Sequence, residues 1–145
     1  ASMLESLQTL ALGAQVGSQL TAVTDHVELG TQKVQGRVEL ANANSEVTLV
    51  LTAADGTVKK VPLGKHAPGE ASFELDPAKL GLPAGRYSIA VETSSKETPE
   101  VQVTGELSSV KLSPTLGVVL TMSHIGEVPA SAITQFNGRA PGQAS

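Results

Sequence analysis

A turn feeds a strand at Leu82-Pro83-Ala84-Gly85-Arg86-Tyr87-Ser88-Ile89-Ala90-Val91-Glu92, and the rest of the chain must supply what covers it. From Tyr87 the apolar residues Tyr87, Ile89 and Val91 alternate with Ser88, Ala90 and Glu92, so one face is buried and the other is wet. Pro83 fixes φ and Gly85 is free to take φ > 0, which redirects the chain just before Tyr87. A tyrosine placed at such a corner buries its ring while its hydroxyl reaches backbone near the turn, the arrangement found in β-sandwiches. Tyr87 and Gly85 are therefore read as structural.

The partners for that strand lie in residues 36–81. Arg37 to Ala41 reads as a strand, followed by the turn formers Asn42-Ala43-Asn44-Ser45. Val47 to Ala53 and Thr57 to Leu63 form a hairpin around Ala54-Asp55-Gly56. A two-residue Asp55-Gly56 loop would set Leu49 opposite Pro62 and Leu51 opposite Lys60, wasting the core face. A three-residue loop with Gly56 left-handed pairs Leu49 with Val61 and Val47 with Leu63, and is the register expected. Ala71, Phe73 and Leu75 alternate with Ser72 and Glu74, and Asp76-Pro77 opens a short turn to Leu80. With the Tyr87 strand this makes five or six strands spaced as an immunoglobulin-like or fibronectin-like sandwich.

On either side the pattern differs. Ser2 and Glu5 form a capping box, and Leu4, Leu7 and Ala11 recur at helical spacing before Gly13, which predicts a helix of about ten residues, near 15 Å long. A helix this short needs a surface to dock on. Its apolar positions are read either as docking on their own domain or as a contact between copies. Val16 to Leu29 reads as two short strands with a turn near Thr24-Asp25, and Gly30 to Gly36 as a connector. Thr93-Ser94-Ser95-Lys96-Glu97-Thr98-Pro99 has the polar composition of a linker. Strands follow at Val101 to Leu107, Ser109 to Leu112 and Val118 to Met122, with Ile125 to Val128 a further one and a helical turn near Pro129 to Ile133. The expected division is thus a helix at 1–14, a small barrel from 15–35 and 98–136, a sandwich at 36–97 inserted into it, and a flexible tail at 137–145.

Composition narrows the function. Aromatic residues are only 2% of the chain, so the core must be aliphatic; Tyr87 and Phe73 fall on core faces and Phe136 lies near the tail, leaving no aromatic platform for sugars or single-stranded nucleic acid. A net charge of −4, with Lys59-Lys60 the only adjacent basic pair, supplies no stripe for phosphates. There is no cysteine, and His26, His66 and His124 fall in no metal-binding spacing. Asp25 beside His26 and Glu127 after His124 read as solvated turns. No G-x-S-x-G elbow or phosphate-binding loop is present. No catalytic, cofactor-binding or metal residues are assigned. No apolar run approaches the ~20 residues of a membrane helix, and the N-terminus lacks a secretory signal, so an exported chain would use another route or have lost its signal.

The order Asp55-Gly56-Thr57-Val58, Leu63-Gly64, Ala67-Pro68-Gly69, Ser72-Phe73, Asp76 and Leu82-Pro83-Ala84-Gly85-Arg86-Tyr87 resembles the C-terminal portion of the FlgD family of flagellar hook-cap proteins, also called basal-body rod modification proteins. Val16-Gly17 fits the start of that family's small barrel, and the likeness covers about residues 12–136. The resemblance implies a Tudor-like barrel interrupted by a fibronectin-like domain. It also implies a non-enzymatic scaffold, oligomeric as a cap, that helps hook subunits assemble at the tip of the growing hook. Such a protein is made in the cytoplasm and reaches the hook through the flagellar export apparatus. Two features depart from the family. Leu75 stands where the family usually has Trp, and the N-terminal segment with its Q-D-P-L-N-P-like motif is absent, which suggests a shortened or trimmed chain. The alternative is an extracellular or periplasmic β-sandwich module for adhesion or carbohydrate recognition.

Overall fold

The computed structural model describes residues 16–139. The helix expected at 1–14, with Leu4, Leu7 and Ala11, lies outside the described residues. Eleven strands follow in order: β1 (Ser18–Val23), β2 (His26–Leu29), β3 (Val34–Leu40), β4 (Asn44–Ala53), β5 (Val58–His66), β6 (Gly69–Leu75), β7 (Gly85–Thr93), β8 (Gln102–Ser113), β9 (Gly117–Met122), β10 (Gly126–Pro129) and β11 (Ile133–Arg139). The only α-helix among the described residues is α1 (Pro77–Leu80), capped by Asp76, whose carboxylate accepts from Ala78 N. A single 3-10 turn covers Ala130–Ala132.

Two sheets carry the fold. One has the order β2-β7-β4-β5, and the other runs β10-β9-β8-β1-β11 with β3 joined to both β6 and β8. The β3-β6 pair faces the four-stranded sheet as a sandwich, and the remaining strands curl into a half-barrel. Alternation places Val38, Leu40, Ala71, Phe73 and Leu75 of one layer against Val27, Val47, Leu49, Leu51, Tyr87, Ile89 and Val91 of the other, all buried. The same core runs on through Leu20, Val103, Leu107, Leu120 and Ile125 in the half-barrel. With so few aromatics, close packing is reached by bringing backbones together. Gly36 lies directly opposite Phe73, and a Cβ there would collide with the Phe73 ring and the Gln102 carbonyl.

The β4-β5 hairpin turns through three residues. Ala53 N donates to Thr57 O at 2.8 Å, Gly56 N to Ala53 O at 2.9 Å, and Gly56 sits at φ 91°. Leu49 faces Val61, as the apolar pattern requires. The second expected pair does not form. A bulge between Val47 and Thr48 sets Val47 opposite Gly64 rather than Leu63, because β5 carries one extra residue there, Leu63.

Three boundaries differ from the sequence reading. The stretch Gly30 to Gly36 is only partly a connector, since β3 begins at Val34 and buries that side chain against the sandwich. The two strands expected at Val101 to Leu107 and Ser109 to Leu112 are one strand, β8, with a bulge between Leu107 and Ser109. Residues 137–139 are strand: β11 pairs with β1, and Asn137 Nδ2 donates to Thr21 Oγ1 at 2.9 Å. His26–Leu29 leaves the first strand and pairs with Arg86, Tyr87 and Ser88 in the four-stranded sheet.

Candidate functional site

The Tyr87 strand anchors one end of the sandwich. Tyr87 is 4% exposed and its hydroxyl donates to Pro83 O at 2.7 Å, so the ring is buried without stranding its polar tip. Gly85, at φ 152°, starts the strand opposite Leu29, and Ala53, the residue before the Gly56 turn, pairs with Tyr87. Gly56, Gly85 and Tyr87 therefore gather at one end of the four-stranded sheet. Phe73 lies across the core on β6.

The other end of β7 carries a polar clamp. The Glu97 carboxylate accepts from Ala41 N at 2.7 Å, Asn42 N at 3.2 Å, Asn42 Nδ2 at 3.3 Å, Asn44 Nδ2 at 3.0 Å and Ser95 Oγ at 2.8 Å. These bonds, the Ala41 backbone N–H first among them, pull its pKa down to about 2. Asn44 returns the contact, accepting from Ser95 N at 2.8 Å. The polar run Thr93 to Pro99 is thus held to the β3-β4 turn rather than hanging free as a linker. Sequence reading missed Glu97 because all its donors but Ser95, namely Ala41, Asn42 and Asn44, stand more than fifty positions upstream.

Between the two sheets the junction is built around β2. Glu28 N donates to His124 O at 2.7 Å, Ile89 N to Asp25 O at 2.9 Å and Thr24 N to Val101 O at 3.0 Å. The His26 Nε2–H donates to Ile125 O at 2.9 Å, while Nδ1 lies 3.1 Å from Asp25 Oδ1. That bond with His26 holds the Asp25 carboxyl below the usual carboxylate range. Burial pushes the His124 imidazole down, against a smaller upward pull from its backbone bond with Glu28. A cleft of about 570 Å³ opens beside this junction, lined by Val23, His26, Ile89, Val101, Val128 and Pro129.

The junction offers apolar contact and fixed backbone polarity rather than reacting groups. His26 is committed at Nε2 to a carbonyl, and His66 Nε2 lies 3.1 Å from Leu63 O, far from both His26 and His124 in the chain. Among the described residues no three His, Asp or Glu side chains are grouped to hold a metal ion, and no buried side-chain polar atom lacks a partner. What the arrangement does is mechanical. It ties the sandwich to the half-barrel through β2 and through the short β3-β8 pairing at Gly36-Val103 and Arg37-Gln102.

The family model described as the FlgD Ig-like domain matches residues 21–97, just over half of the 145 residues. Among solved structures, FlgD from Xanthomonas campestris, described as giving insights into the hook capping essential for flagellar assembly, aligns with a TM-score of 0.73 at 23% identity. That alignment covers 90% of this chain and 99% of the other. FlgD from P. aeruginosa aligns with a TM-score of 0.69 at 23% identity over 85% of this chain and 98% of the other. No curated protein sequence matches.

Proposed function

The chain belongs to the FlgD Ig-like domain family, and on that premise we propose that it is a structural protein of flagellar hook assembly, a scaffold that caps the growing hook. The observation that carries this reading is the family match across β1 to β7, joined to a fold in which two β lobes are tied into one framework and, among the described residues, every buried polar side-chain atom has a partner. A cap must hold its shape while subunits insert beneath it, and the His26, Glu97 and β3-β8 connections supply that stiffness. The fold likeness to FlgD from Xanthomonas campestris, a protein described in connection with hook capping, supports the same role.

On this reading the partners are hook subunits and further copies of the chain, and the working location is the distal tip of the hook, reached through the flagellar export apparatus. Catalysis is not part of the role. Deleting the gene in its source bacterium is expected to abolish hooks, with restoration by the intact chain. Normal hook numbers in the deletion strain would overturn the proposal.

A further inference from the structure

The sequence holds three asparagines, followed by Ala43, Ser45 and Gly138, and the fold treats them differently. Asn137 lies at a break in the β1-β11 ladder. Phe136 faces Leu20 and Gly138 faces Gln19, so Asn137 is the extra residue of a bulge and has no partner on β1. It is exposed, and Gly138 sits at φ 73° with open space where a Cβ would project. Its side chain is held at one point, Nδ2 donating to Thr21 Oγ1 at 2.9 Å, while Oδ1 accepts no hydrogen bond among the described residues. Asn44 is the opposite case. It is 2% exposed, its Nδ2 donates to Asn42 O and to Glu97 Oε2, both at 3.0 Å, and its Oδ1 accepts from Ser95 N at 2.8 Å. Asn42 is tied to Glu97 Oε2 through both its backbone N–H and Nδ2, and the Ala43 methyl shields the nitrogen that follows it.

We propose that Asn137-Gly138 is a self-modification site, at which the backbone nitrogen of Gly138 attacks Cγ of Asn137 and the side-chain amide leaves as ammonia. The Gly138 N–Cγ bond forms, the Cγ–Nδ2 bond breaks, and the proton of Gly138 N departs with the ammonia. Water then opens the cyclic imide, at Cγ to give aspartate or at the main-chain carbonyl carbon to give isoaspartate. Nothing is oxidised or reduced, and water is the only co-reactant. Nucleophile and electrophile sit on adjacent residues, so the reaction waits only on local rotation. A continuous ladder would block that rotation, whereas an unpaired residue beside a glycine permits it. Asp55-Gly56 offers no equivalent. Gly56 N–H is engaged with Ala53 O at 2.9 Å, and the Thr57 N–H holds the Asp55 carboxyl below the usual carboxylate range, as an ion that resists attack. Modification of Asn137 adds one negative charge and takes a donor from Thr21 Oγ1, which keeps only Thr104 Oγ1 at 2.9 Å and its bulge neighbour's carboxylate. In the isoaspartate form the backbone also gains a methylene at the bulge, which loosens the end of β11 from β1. All of this holds whether or not the chain caps a hook.

The test is to age the folded chain in mildly alkaline buffer and map it by peptide mass spectrometry with isoaspartate resolved from aspartate. Asn137 is expected to convert at least tenfold faster than Asn42 or Asn44, with isoaspartate among its products. Equal rates at the three asparagines would overturn the proposal. So would aspartate as the sole product, which would assign the reaction to direct hydrolysis by water. Gly138→Ala sets a Cβ beside the attacking nitrogen and is expected to slow conversion at least tenfold; an unchanged rate would remove Gly138 N as the nucleophile. In hydrogen–deuterium exchange the purified isoaspartate form is expected to exchange the amides of Gln135, Phe136 and Gly138 at least tenfold faster than the unreacted chain. Unchanged exchange would overturn the loosening of β11.

Discussion

The Tyr87 hydroxyl bonds the Pro83 carbonyl four residues upstream, joining the turn that redirects the chain to the strand that carries the sandwich core. Because the ring is buried beside Ile89 and Val91 on the same face, removing it and removing its hydroxyl are different perturbations. Tyr87→Ala is expected to cost about 3 to 5 kcal/mol, as for other large aromatic deletions in cores. Tyr87→Phe is expected to cost only about 0.5 to 1.5 kcal/mol. Denaturant melts in which both variants match the parent would remove Tyr87 from the structural account.

Glu97 gives the clamp a pH signature. Its folded-state pKa of about 2 lies below the ordinary 4.5, so the folded form favours the carboxylate. Its contribution is fully present above about pH 4.5 and is lost as the pH falls through about 2. In thermal melts the parent is expected to exceed Glu97→Gln in Tm at about pH 6, and that gap should close progressively as the pH is lowered toward about 2. A gap independent of pH would show that the ionised clamp does not contribute.

The division expected from the sequence, a sandwich at 36–97 inserted into a barrel at 15–35 and 98–136, makes a prediction for limited proteolysis. Residues Gly30 to Lys33 are exposed and outside any strand, and so are Thr98 and Glu100. First cuts are expected at these two connectors, with Glu97→Gln speeding the second by releasing the clamp. First cuts within Leu49 to Leu63 or within Val118 to Met122 would contradict the division.

What the sequence disclosed follows from how local each signal is. The Ala54-Asp55-Gly56 loop and the Leu49-Val61 pair were legible because a short turn and a period of two determine them together. The Val47 bulge was not, because nothing in the local pattern marks Leu63 as an extra residue on β5. β11 was hidden because Asn137 and Gly138 look like tail residues, and only β1, more than a hundred positions away, makes them strand. Likewise, nothing local marks His26–Leu29 for the four-stranded sheet. Its backbone partners are on β7 and in the β9-β10 turn. At the candidate site the same rule holds: Tyr87 and its turn are neighbours in sequence, whereas Glu97 and Asn44 meet only in the fold.

The role as a hook cap is tested most directly by seeing where the chain sits. With an epitope added and the hooks isolated during growth, immunogold electron microscopy is expected to place the label at the distal end of each growing hook, one cluster per filament. Label spread along the hook wall, or absent from hooks that nevertheless reach full length, would contradict a capping role.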